Sequence, residues 1–544
     1  EAVAVMLFYE SGELVQDLAV AKSRRSILSL MDIRPDSAVL LEEGGERRVR
    51  AEDVRVGETV LVKPGERIPL DGSVKTGTSS LDTSSLTGES VPRDVAPGDD
   101  VLAGSVNLGG MLTVLVTRLF GESTLSKGLR LIEEARERKA PTERFITAFA
   151  KRYTPAVVAA AALLAVVPPL MGLGAFREWG YRALIFLVVS CPCALVISVP
   201  LALFGGIGAA SRRGVLLKGG NVLETLAKVR TVLFDKTGTL TRGVFRVTGV
   251  FQAGNTDRER LLSIAGEAER GSNHPVARAV VEAAGALPPL GGAIEELPGR
   301  GVRLVGGGKV ILAGNARLLT DSGIASAPEA EGRPGAVVHV AEDGRYAGYI
   351  VVEDTVRSQS KRAVERLRSL GVSTVGMLSG DRRENASRIA EDLGLDLWES
   401  DLLPSDKLEH FQRISERTGG TTLFVGDGMN DAPLLAAADV GMAMGGLGAD
   451  AAIEAADGVI LNDDPLGAAD VIEIARKTRS IVWQNIAFAL GVKGAVLTLG
   501  AFGMATMWEA VFADVGVALL ATLNAARVLR FGERMQREAE EIKV

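Results

Sequence analysis

Residues 235–241 have the sequence Asp-Lys-Thr-Gly-Thr-Leu-Thr and follow the apolar run Val-Leu-Phe at 232–234, which predicts a carboxylate directly after a buried strand. Open α/β sheets expose their ligands at the carboxyl ends of such strands. A carboxylate there can attack phosphorus and become an aspartyl phosphate, and the hydroxyls and backbone N–H groups that follow can bind phosphoryl oxygens. Taken alone, the same segment is equally typical of a tight turn.

Three later segments favour a phosphoryl-transfer site over a simple turn. Ser379 follows the apolar run 375–378, Lys407 ends the segment Leu-Pro-Ser-Asp-Lys at 403–407, and the acidic pair Asp427 and Asp431 follows the apolar run 423–425. A strand-end hydroxyl, a lysine and a strand-end acidic pair together fit one site for a charged phosphoryl group. Asp235 is therefore the predicted nucleophile.

On these segments the chain resembles the haloacid dehalogenase-like phosphotransferases, and its residues 235–241 resemble the P-type ATPases in particular. The resemblance implies that Asp235 accepts the γ-phosphoryl group of ATP, with Lys407 as its charge partner. It also implies a Mg²⁺ ion held by Asp235, Asp427 and the backbone carbonyl of Thr237. The family usually has Thr in the position of Ser379, and because Ser keeps the hydroxyl we expect function to survive.

Long apolar stretches indicate an integral membrane protein. The 544 residues are 47% hydrophobic, with a mean hydropathy of +0.20. Basic residues beside the apolar stretches favour the cytoplasmic side for the soluble parts, and the plasma (inner) membrane is the expected location. A net charge of −7 argues against nucleic-acid binding, whereas membrane lipid is an expected partner; the oligomeric state stays open. Four stretches are long enough to span a membrane at about 1.5 Å per residue: Tyr153–Phe176, Ala183–Ala210, Asn485–Thr506 and Trp508–Leu529.

The pattern and the resemblance together predict a multidomain membrane protein. Its fold class is an α-helical transmembrane bundle with a β-rich actuator domain, a Rossmann-like (haloacid dehalogenase-like) α/β phosphorylation domain and an inserted α+β nucleotide-binding domain. We expect an N-terminally truncated member, because family members carry further helices upstream. The predicted soluble units are the actuator domain at 23–145, the phosphorylation domain at 229–242 and 351–480, and the nucleotide-binding domain at 243–350. The predicted membrane units are the end of a truncated transmembrane helix at 1–22, two transmembrane helices with the Cys-Pro-Cys motif at 146–228 and two more at 481–532. A C-terminal tail is predicted at 533–544.

The resemblance also implies a hydrolytic loop in the β-rich domain. Thr87-Gly88-Glu89-Ser90 matches the family's actuator motif, in which the glutamate positions the water that hydrolyses the aspartyl phosphate. A carboxylate at Glu89 can orient and deprotonate that water, while Thr87 and Gly88 shape the loop. As a lone tetrapeptide the segment is an ordinary loop.

Nucleotide contacts are implied for residues of the inserted domain, where one helical stretch is predicted over Arg258–Ala284. Glu269, His274, Gly299 and Gly301 match residues that surround adenine in the heavy-metal subclass. Asp354 matches an Asp-x-x-Arg hinge near the nucleotide phosphates. His-Pro is more often a helix start than a ligand, and a surface salt bridge explains Asp354 equally well.

Four residues of the membrane segments predict a metal site. Cys191 and Cys193 would point about 200° apart on an ideal helix, but the intervening proline breaks the helix and can turn both thiols toward one site. Lys493 and Asp514 each lie alone among apolar residues, and ionisable groups at bilayer depth are functional by default. We expect these two to face each other and the thiols. Two thiolates and a carboxylate suit Zn²⁺, Cd²⁺ or Pb²⁺; two structural thiols are the alternative.

Over essentially its whole length the chain resembles the zinc-, cadmium- and lead-exporting P-type ATPases. This implies ATP-driven export of a heavy-metal dication bound by Cys191, Cys193 and Asp514, with Lys493 as a built-in counter-ion. Glu13 matches an acidic residue of the family's exit path, although a glutamate facing headgroups explains it as well. Copper exporters share Cys-Pro-Cys but usually carry Asn, Tyr, Met and Ser on the last two helices, so Cu⁺ is the alternative cargo. A membrane-tethered phosphatase and a metal sensor are the alternatives from other classes.

Overall fold

The computed structural model describes residues 10, 14, 37–42, 45–83, 93–123, 140–190, 193–254, 256–272, 274–286, 292–297, 299–327, 330, 333, 335–427, 431–445 and 450–543. The predicted residues Glu13, Thr87, Gly88, Glu89 and Cys191 lie outside these ranges. The α-helices are α1 (Pro141–Leu170), α2 (Phe176–Val189), α3 (Cys193–Arg212), α4 (Gly220–Leu226), α5 (Arg258–Glu269), α6 (Pro275–Ala284), α7 (Ala316–Asp321), α8 (Ser360–Ser369), α9 (Arg383–Leu393), α10 (Pro404–Thr418), α11 (Ala432–Ala437), α12 (Asp450–Ala455), α13 (Leu466–Ala501), α14 (Met507–Val511), α15 (Val517–Ala525) and α16 (Arg527–Lys543).

The first soluble part is rich in β-strands, as the sequence predicts. One sheet has six strands in the order β2-β1-β3-β9-β4-β7, and a second has the order β6-β5-β8. Alternate Val and Leu side chains of these short strands fill a common core, in which Val60, Leu112 and Val114 are fully buried. The strands are β1 (Ser37–Glu42), β2 (Gly45–Arg50), β3 (Thr59–Val62), β4 (Gly72–Thr76), β5 (Ser79–Asp82), β6 (Arg93–Val95), β7 (Asp100–Val101), β8 (Val106–Asn107) and β9 (Leu112–Val116).

A seven-stranded sheet positions the predicted nucleophile. Its order is β10-β22-β21-β20-β11-β18-β19, and the interior strand β11 pairs in parallel with β18 and β20. Because helices cover both faces, the residues at 232–234 are fully buried. The strands are β10 (Val215–Leu217), β11 (Val229–Asp235), β18 (Thr374–Leu378), β19 (Leu397–Glu399), β20 (Thr421–Gly426), β21 (Val440–Met444) and β22 (Gly458–Ile460).

An antiparallel sheet interrupts this α/β unit between β11 and β18. Its strand order is β12-β17-β16-β15-β14-β13. The two strands that join it to the α/β unit, β12 and β17, extend beyond the limits of 243 and 350 predicted for the nucleotide-binding domain. The predicted helical stretch Arg258–Ala284 consists of two helices, because α5 ends at Glu269 and Pro275 is the first residue of α6, as the His-Pro pair predicts. The strands are β12 (Thr241–Gln252), β13 (Gly292–Leu297), β14 (Gly301–Gly306), β15 (Lys309–Gly314), β16 (Ala336–Glu342) and β17 (Arg345–Val356).

Within the part of the chain that the structure describes, four helical segments are long and apolar enough to span a membrane: Lys151–Leu170, Phe176–Arg212, Leu466–Gly500 and Met507–Met535. Their number is as predicted, but the first does not reach Phe176. Helix α1 ends at Leu170, and the turn that follows contains Gly172 and Gly174 at positive φ. Helix α13 runs from the seven-stranded sheet into the bundle without a break, so the predicted limit at 481 falls inside a helix.

Candidate functional site

The carboxyl ends of β11 and β20 bring together the central charged cluster. Lys407 Nζ lies 2.5 Å from Asp235 Oδ1 and 3.1 Å from Asp431 Oδ1. Asp235, Asp427 and Asp431 each offer a carboxylate oxygen, and these oxygens lie within 4.8 Å of one another. The structure therefore brings together Asp235, Asp427 and Lys407, which were assigned to this site. It adds Asp431, the second carboxylate of the predicted acidic pair, to which no separate role was assigned.

Burial and crowding perturb the acidity of this cluster. Burial raises the pKa of Asp235 to about 7, with Asp431 adding to the shift and Lys407 opposing it. Burial and Asp431 likewise raise the pKa of Asp427 to about 6. Burial alone would lower the pKa of Lys407, but the attraction of Asp235 and Asp431 outweighs it and the pKa is raised. Three carboxylates around one ammonium leave an excess of negative charge that a hard cation with oxygen ligands would neutralise.

A turn at Gly238 brings the backbone that follows Asp235 into contact with Asp427. Gly238 has φ +74, and a Cβ on it would lie 1.5 Å from Asp427 Oδ2, so the turn requires glycine both for its conformation and for this close approach. Arg357 fixes the turn by donating to the carbonyls of Gly238 at 2.8 Å and Thr241 at 3.0 Å. Thr237 lies in the same turn with its side chain exposed, and the role of its carbonyl stays a prediction.

Ser379 and Asp354 flank the cluster on the side of β18. Leu378 pairs with Asp235 in register, so Ser379 follows at the same sheet edge, where its Oγ accepts from the N–H of Asp381 at 3.0 Å. Asp354 accepts from Thr241 Oγ1 at 2.5 Å, and burial raises its pKa. The alternative of a surface salt bridge is wrong for Asp354, because its side chain is buried.

Lys236 connects these acidic side chains, although the sequence interpretation gave it no role. Its Nζ lies 2.8 Å from Asp381 and 3.7 Å from Asp354, and both the lysine and the Asp354 side chain are buried. The sequence feature that could have identified Lys236 as a site residue is its position directly after Asp235. For Asp431 the signal was its spacing four residues after Asp427, in the loop that follows β20.

A cleft of about 870 Å³ opens beside this cluster, between the seven-stranded sheet and the antiparallel sheet. A cavity of this size is within the range of pockets that hold a small ligand, about 300–1,000 Å³. Amide, imidazole and cationic side chains in its wall suit a phosphorylated ligand. The wall includes Lys236, Asn315, Arg333, His339, Asp354 and Asp381.

The other predicted nucleotide contacts lie outside this wall. His274 caps α6, since its Nδ1 accepts from the N–H of Val276 at 3.2 Å. Gly299 adjoins the cleft because its carbonyl accepts from Asn315 Nδ2 at 2.8 Å. Gly301 has φ +142, and a Cβ on it would lie 2.2 Å from the carbonyl oxygen of Ala313. Glycine is thus required at Gly301 by the close pairing of β14 with β15.

Glu269 lies buried at the end of α5, where burial and the nearby Glu296 raise its pKa to about 7. Its folded pKa is thus above its ordinary value, so the unfolding free energy falls as the pH rises from about 4.5 to 7. We expect Glu269→Gln to stabilise the chain by about 3 kcal/mol at pH 8 and by less than about 1 kcal/mol at pH 5. Thermal unfolding of both proteins across this pH range measures the difference, with the exposed Glu259→Gln on the same helix as control. A pH-independent difference would contradict the assignment.

The apolar helices contain a separate polar site. Lys493 Nζ lies 2.8 Å from Asp514 Oδ1 and 3.1 Å from the carbonyl oxygen of Val189. The predicted facing of Lys493 and Asp514 is confirmed, and both side chains are at most 10% exposed. Val189 ends α2, so its carbonyl lacks a helical partner and can accept a hydrogen bond from the lysine ammonium. Asp514 sits in a turn of π-helix, Phe512–Gly516, a distortion common at functional sites.

Cys193 is the first residue of α3 and is half-buried. Lys493 contacts the carbonyl of Val189, the last residue of α2 and four positions before Cys193, which places the ion pair beside the start of α3. The role of Cys193 as a metal-binding thiolate stays a prediction.

Two protein-family models match the chain. Residues 229–439 match the haloacid dehalogenase-like hydrolase family, and residues 32–133 match the P-type ATPase actuator domain. The first match contains the charged cluster of Asp235, Lys407 and Asp427, and the second covers most of the β-rich part.

Named relatives match nearly the whole chain. This chain is 52% identical over 535 residues to a cadmium, zinc and cobalt-transporting ATPase of Bacillus subtilis (strain 168), and the match covers 97% of this chain and 76% of the relative. It is 50% identical to a zinc-transporting ATPase of Synechocystis sp., covering 97% and 74%. A crystal structure of a zinc-transporting PIB-type ATPase in the E2.Pi state superposes with a TM-score of 0.64 at 38% identity, covering 96% of this chain and 86% of that one.

Proposed function

The chain belongs to the heavy-metal-transporting P-type ATPases, and from that membership we propose that it uses ATP to export Zn²⁺, and also Cd²⁺ and Pb²⁺, through an aspartyl phosphate on Asp235. It is an integral membrane protein with an ATPase activity. We assign it to the plasma (inner) membrane with its soluble domains on the cytoplasmic side. The observation that carries the proposal is the coexistence of two sites, the Asp235 cluster and the intramembrane Lys493–Asp514 pair.

Asp235 is suited to accept phosphate because it ends a buried interior strand and the next residue, Lys236, lines the cleft. Its carboxylate oxygen attacks the γ-phosphorus of ATP, and the bond from that phosphorus to the β-phosphate oxygen breaks as ADP leaves. Lys407 neutralises charge on the nucleophile before attack and lies close enough to bind a phosphoryl oxygen after it. Lys236, buried between Asp354 and Asp381, holds the loop that bears the nucleophile.

The donor set fits Mg²⁺, a hard cation that prefers carboxylate, carbonyl and phosphate oxygens. Asp235, Asp427 and the Thr237 carbonyl are the proposed ligands, and Asp431 adds a third carboxylate within reach. When bound, Mg²⁺ would screen the charge between the carboxylates and an incoming phosphoryl group. Gly238 keeps Asp427 close to the nucleophile's loop, which no larger residue would permit.

Dephosphorylation requires a water and a base. Glu89, with Thr87 and Gly88 shaping its loop, is proposed to orient the water and take its proton as a new oxygen–phosphorus bond forms. The bond from phosphorus to Asp235 then breaks, which regenerates the carboxylate and releases inorganic phosphate. ATP binding is assigned to Glu269, His274, Gly299, Gly301 and Asp354.

The cargo site is assigned to Cys191, Cys193 and Asp514. Reduced thiolates with a carboxylate favour a soft or borderline dication such as Zn²⁺ over Ca²⁺ or Mg²⁺. Lys493 already forms an ion pair with Asp514, so the ammonium can replace the departing metal as the counter-ion. Glu13 is proposed to lie on the exit path.

The ATPase rate of the purified full chain across a metal panel tests this function. With a phosphine reductant present, we expect Zn²⁺, Cd²⁺ and Pb²⁺ to stimulate ATP hydrolysis and Ca²⁺ to have no effect. Stimulation by Cu⁺ alone would identify a copper pump instead. Metal-independent hydrolysis of small phosphate esters would identify a phosphatase, and metal binding without any ATP hydrolysis would identify a sensor.

A further inference from the structure

A second cavity, of about 140 Å³, lies where the membrane helices approach the seven-stranded sheet. It is bounded by α3, α4, α13 and the start of α1. Its lining combines apolar side chains with two cations. The residues used below are Leu203, Leu223, Val482, Lys228, Arg479 and Trp483.

The exposed faces of the helices place this cavity at the membrane surface. On α13 the exposed Arg479 is followed by Trp483, which is 57% exposed, and then by exposed Phe488. On α1 the exposed Arg152 is followed by Val158, which is 53% exposed. The change from charged to apolar exposed residues marks the boundary between water and lipid, and Trp is enriched there.

The cavity's cations are available to a ligand. Lys228 and Arg479 are exposed, and neither forms an ion pair with any residue within the described ranges. Glu224 also lines the cavity, and both of its carboxylate oxygens accept from the N–H of Thr142 at 3.3 Å, which caps α1. With two cations against one carboxylate, the lining keeps a net positive charge that attracts a phosphate and repels a metal dication.

We propose that this cavity binds the headgroup phosphate of a membrane phospholipid. Lys228 and the forked guanidinium of Arg479 bind the phosphate oxygens, and the glycerol and first methylenes lie against Leu203, Leu223 and Val482. The cavity is too small for a whole lipid, so the acyl chains continue along the exposed apolar face of α13, beside Trp483.

The position of Lys228 gives this site a functional consequence. Lys228 directly precedes β11, the strand that ends in Asp235, while Arg479 lies on α13, the helix that carries Lys493. A bound phosphate therefore bridges the strand that bears the nucleophile and the helix that contacts the ion site. Lipid occupancy would tie these two elements together, and this holds whichever metal the protein transports.

Native mass spectrometry of the full chain tests the site. The delipidated protein in detergent is titrated with palmitoyl-oleoyl phosphatidylglycerol. We expect Lys228→Gln combined with Arg479→Gln to weaken binding of the first lipid by about tenfold or more, because two charge-assisted hydrogen bonds are lost. Lys151→Gln combined with Arg152→Gln is the matched control, since it removes two exposed cations at the same membrane boundary outside the cavity. Equal weakening in both double variants, or in neither, would overturn the proposal.

Two further probes identify the source of the phosphate. Palmitoyl-oleoyl glycerol, which lacks the phosphate, is expected to leave the site empty; binding as tight as that of the phospholipid would refute phosphate recognition. Millimolar inorganic phosphate is expected not to displace the lipid, because it lacks the acyl contacts. Displacement would show that the cavity binds a free anion and would refute the lipid assignment. Thermal unfolding of each variant confirms that folding is unchanged.

Discussion

Asp235→Asn is expected to abolish the acid-stable phosphoenzyme and to lower metal-stimulated ATP hydrolysis by roughly 10⁴-fold or more, the scale of effect seen when a catalytic nucleophile is removed. The amide is nearly isosteric with the carboxylate but cannot form the acyl phosphate. Phosphorylation with labelled ATP followed by acid precipitation measures the first effect, and a coupled ATPase assay measures the second.

The same substitution should not unfold the protein, which separates a chemical defect from a structural one. Burial and Asp431 raise the pKa of Asp235 to about 7, so the ionised carboxylate destabilises the native state at pH 8. The neutral amide relieves that cost, and we expect thermal unfolding at pH 8 at or above the wild-type temperature. Asp401→Asn, at an exposed residue outside the cluster, is the control. Zinc-stimulated hydrolysis that persists in Asp235→Asn would contradict the assignment.

Asp514→Asn is expected to eliminate stimulation of ATP hydrolysis by Zn²⁺. The change removes the carboxylate from the proposed cargo site and leaves the buried Lys493 ammonium without its counter-ion. Breaking one side of a buried pair costs about 3–5 kcal/mol, because the remaining charge is uncompensated. Lys493 would retain its bond to the Val189 carbonyl, which limits the structural damage.

A control for this prediction lies five residues earlier. Glu509→Gln makes the same change of charge near Asp514, but Glu509 is exposed and bonds only locally to Thr506. We expect Glu509→Gln to keep its zinc stimulation. Isothermal titration of reduced protein with Zn²⁺ distinguishes loss of binding from loss of coupling. Equal stimulation of wild type and Asp514→Asn would remove Asp514 from the cargo site.

The phosphoryl-transfer site was predictable because sequence order and sheet geometry agree there. Short apolar runs followed by Asp235, Ser379 and Asp427 become parallel strands whose carboxyl ends share one edge. Asp431 was predicted only as the partner of Asp427 in an acidic pair, because its hydrogen bond to Lys407 joins two segments that are distant in sequence. Lys236 was missed because its buried acidic partners, Asp354 and Asp381, are distant in sequence.

In the membrane segments, the facing of Lys493 and Asp514 was predictable from the free-energy cost of an unpaired charge among apolar side chains. Each is isolated among apolar residues, and an ionised group there is stable only with a partner. The hydrogen bond from Lys493 to the Val189 carbonyl was not predictable, because every residue has a backbone carbonyl and the residue type does not show which one accepts. Helix ends were also hard to locate, because the apolar composition continues through the turn after Leu170.

The central claim is that metal bound among the membrane helices permits phosphorylation of Asp235. Its most direct test is labelling of the full chain with γ-labelled ATP and Mg²⁺, comparing reduced protein stripped by a heavy-metal chelator with the same protein resupplied with Zn²⁺. We predict acid-stable label on Asp235 only in the zinc-supplied sample, and in neither sample for Asp514→Asn. Equal labelling with and without Zn²⁺ would contradict the account.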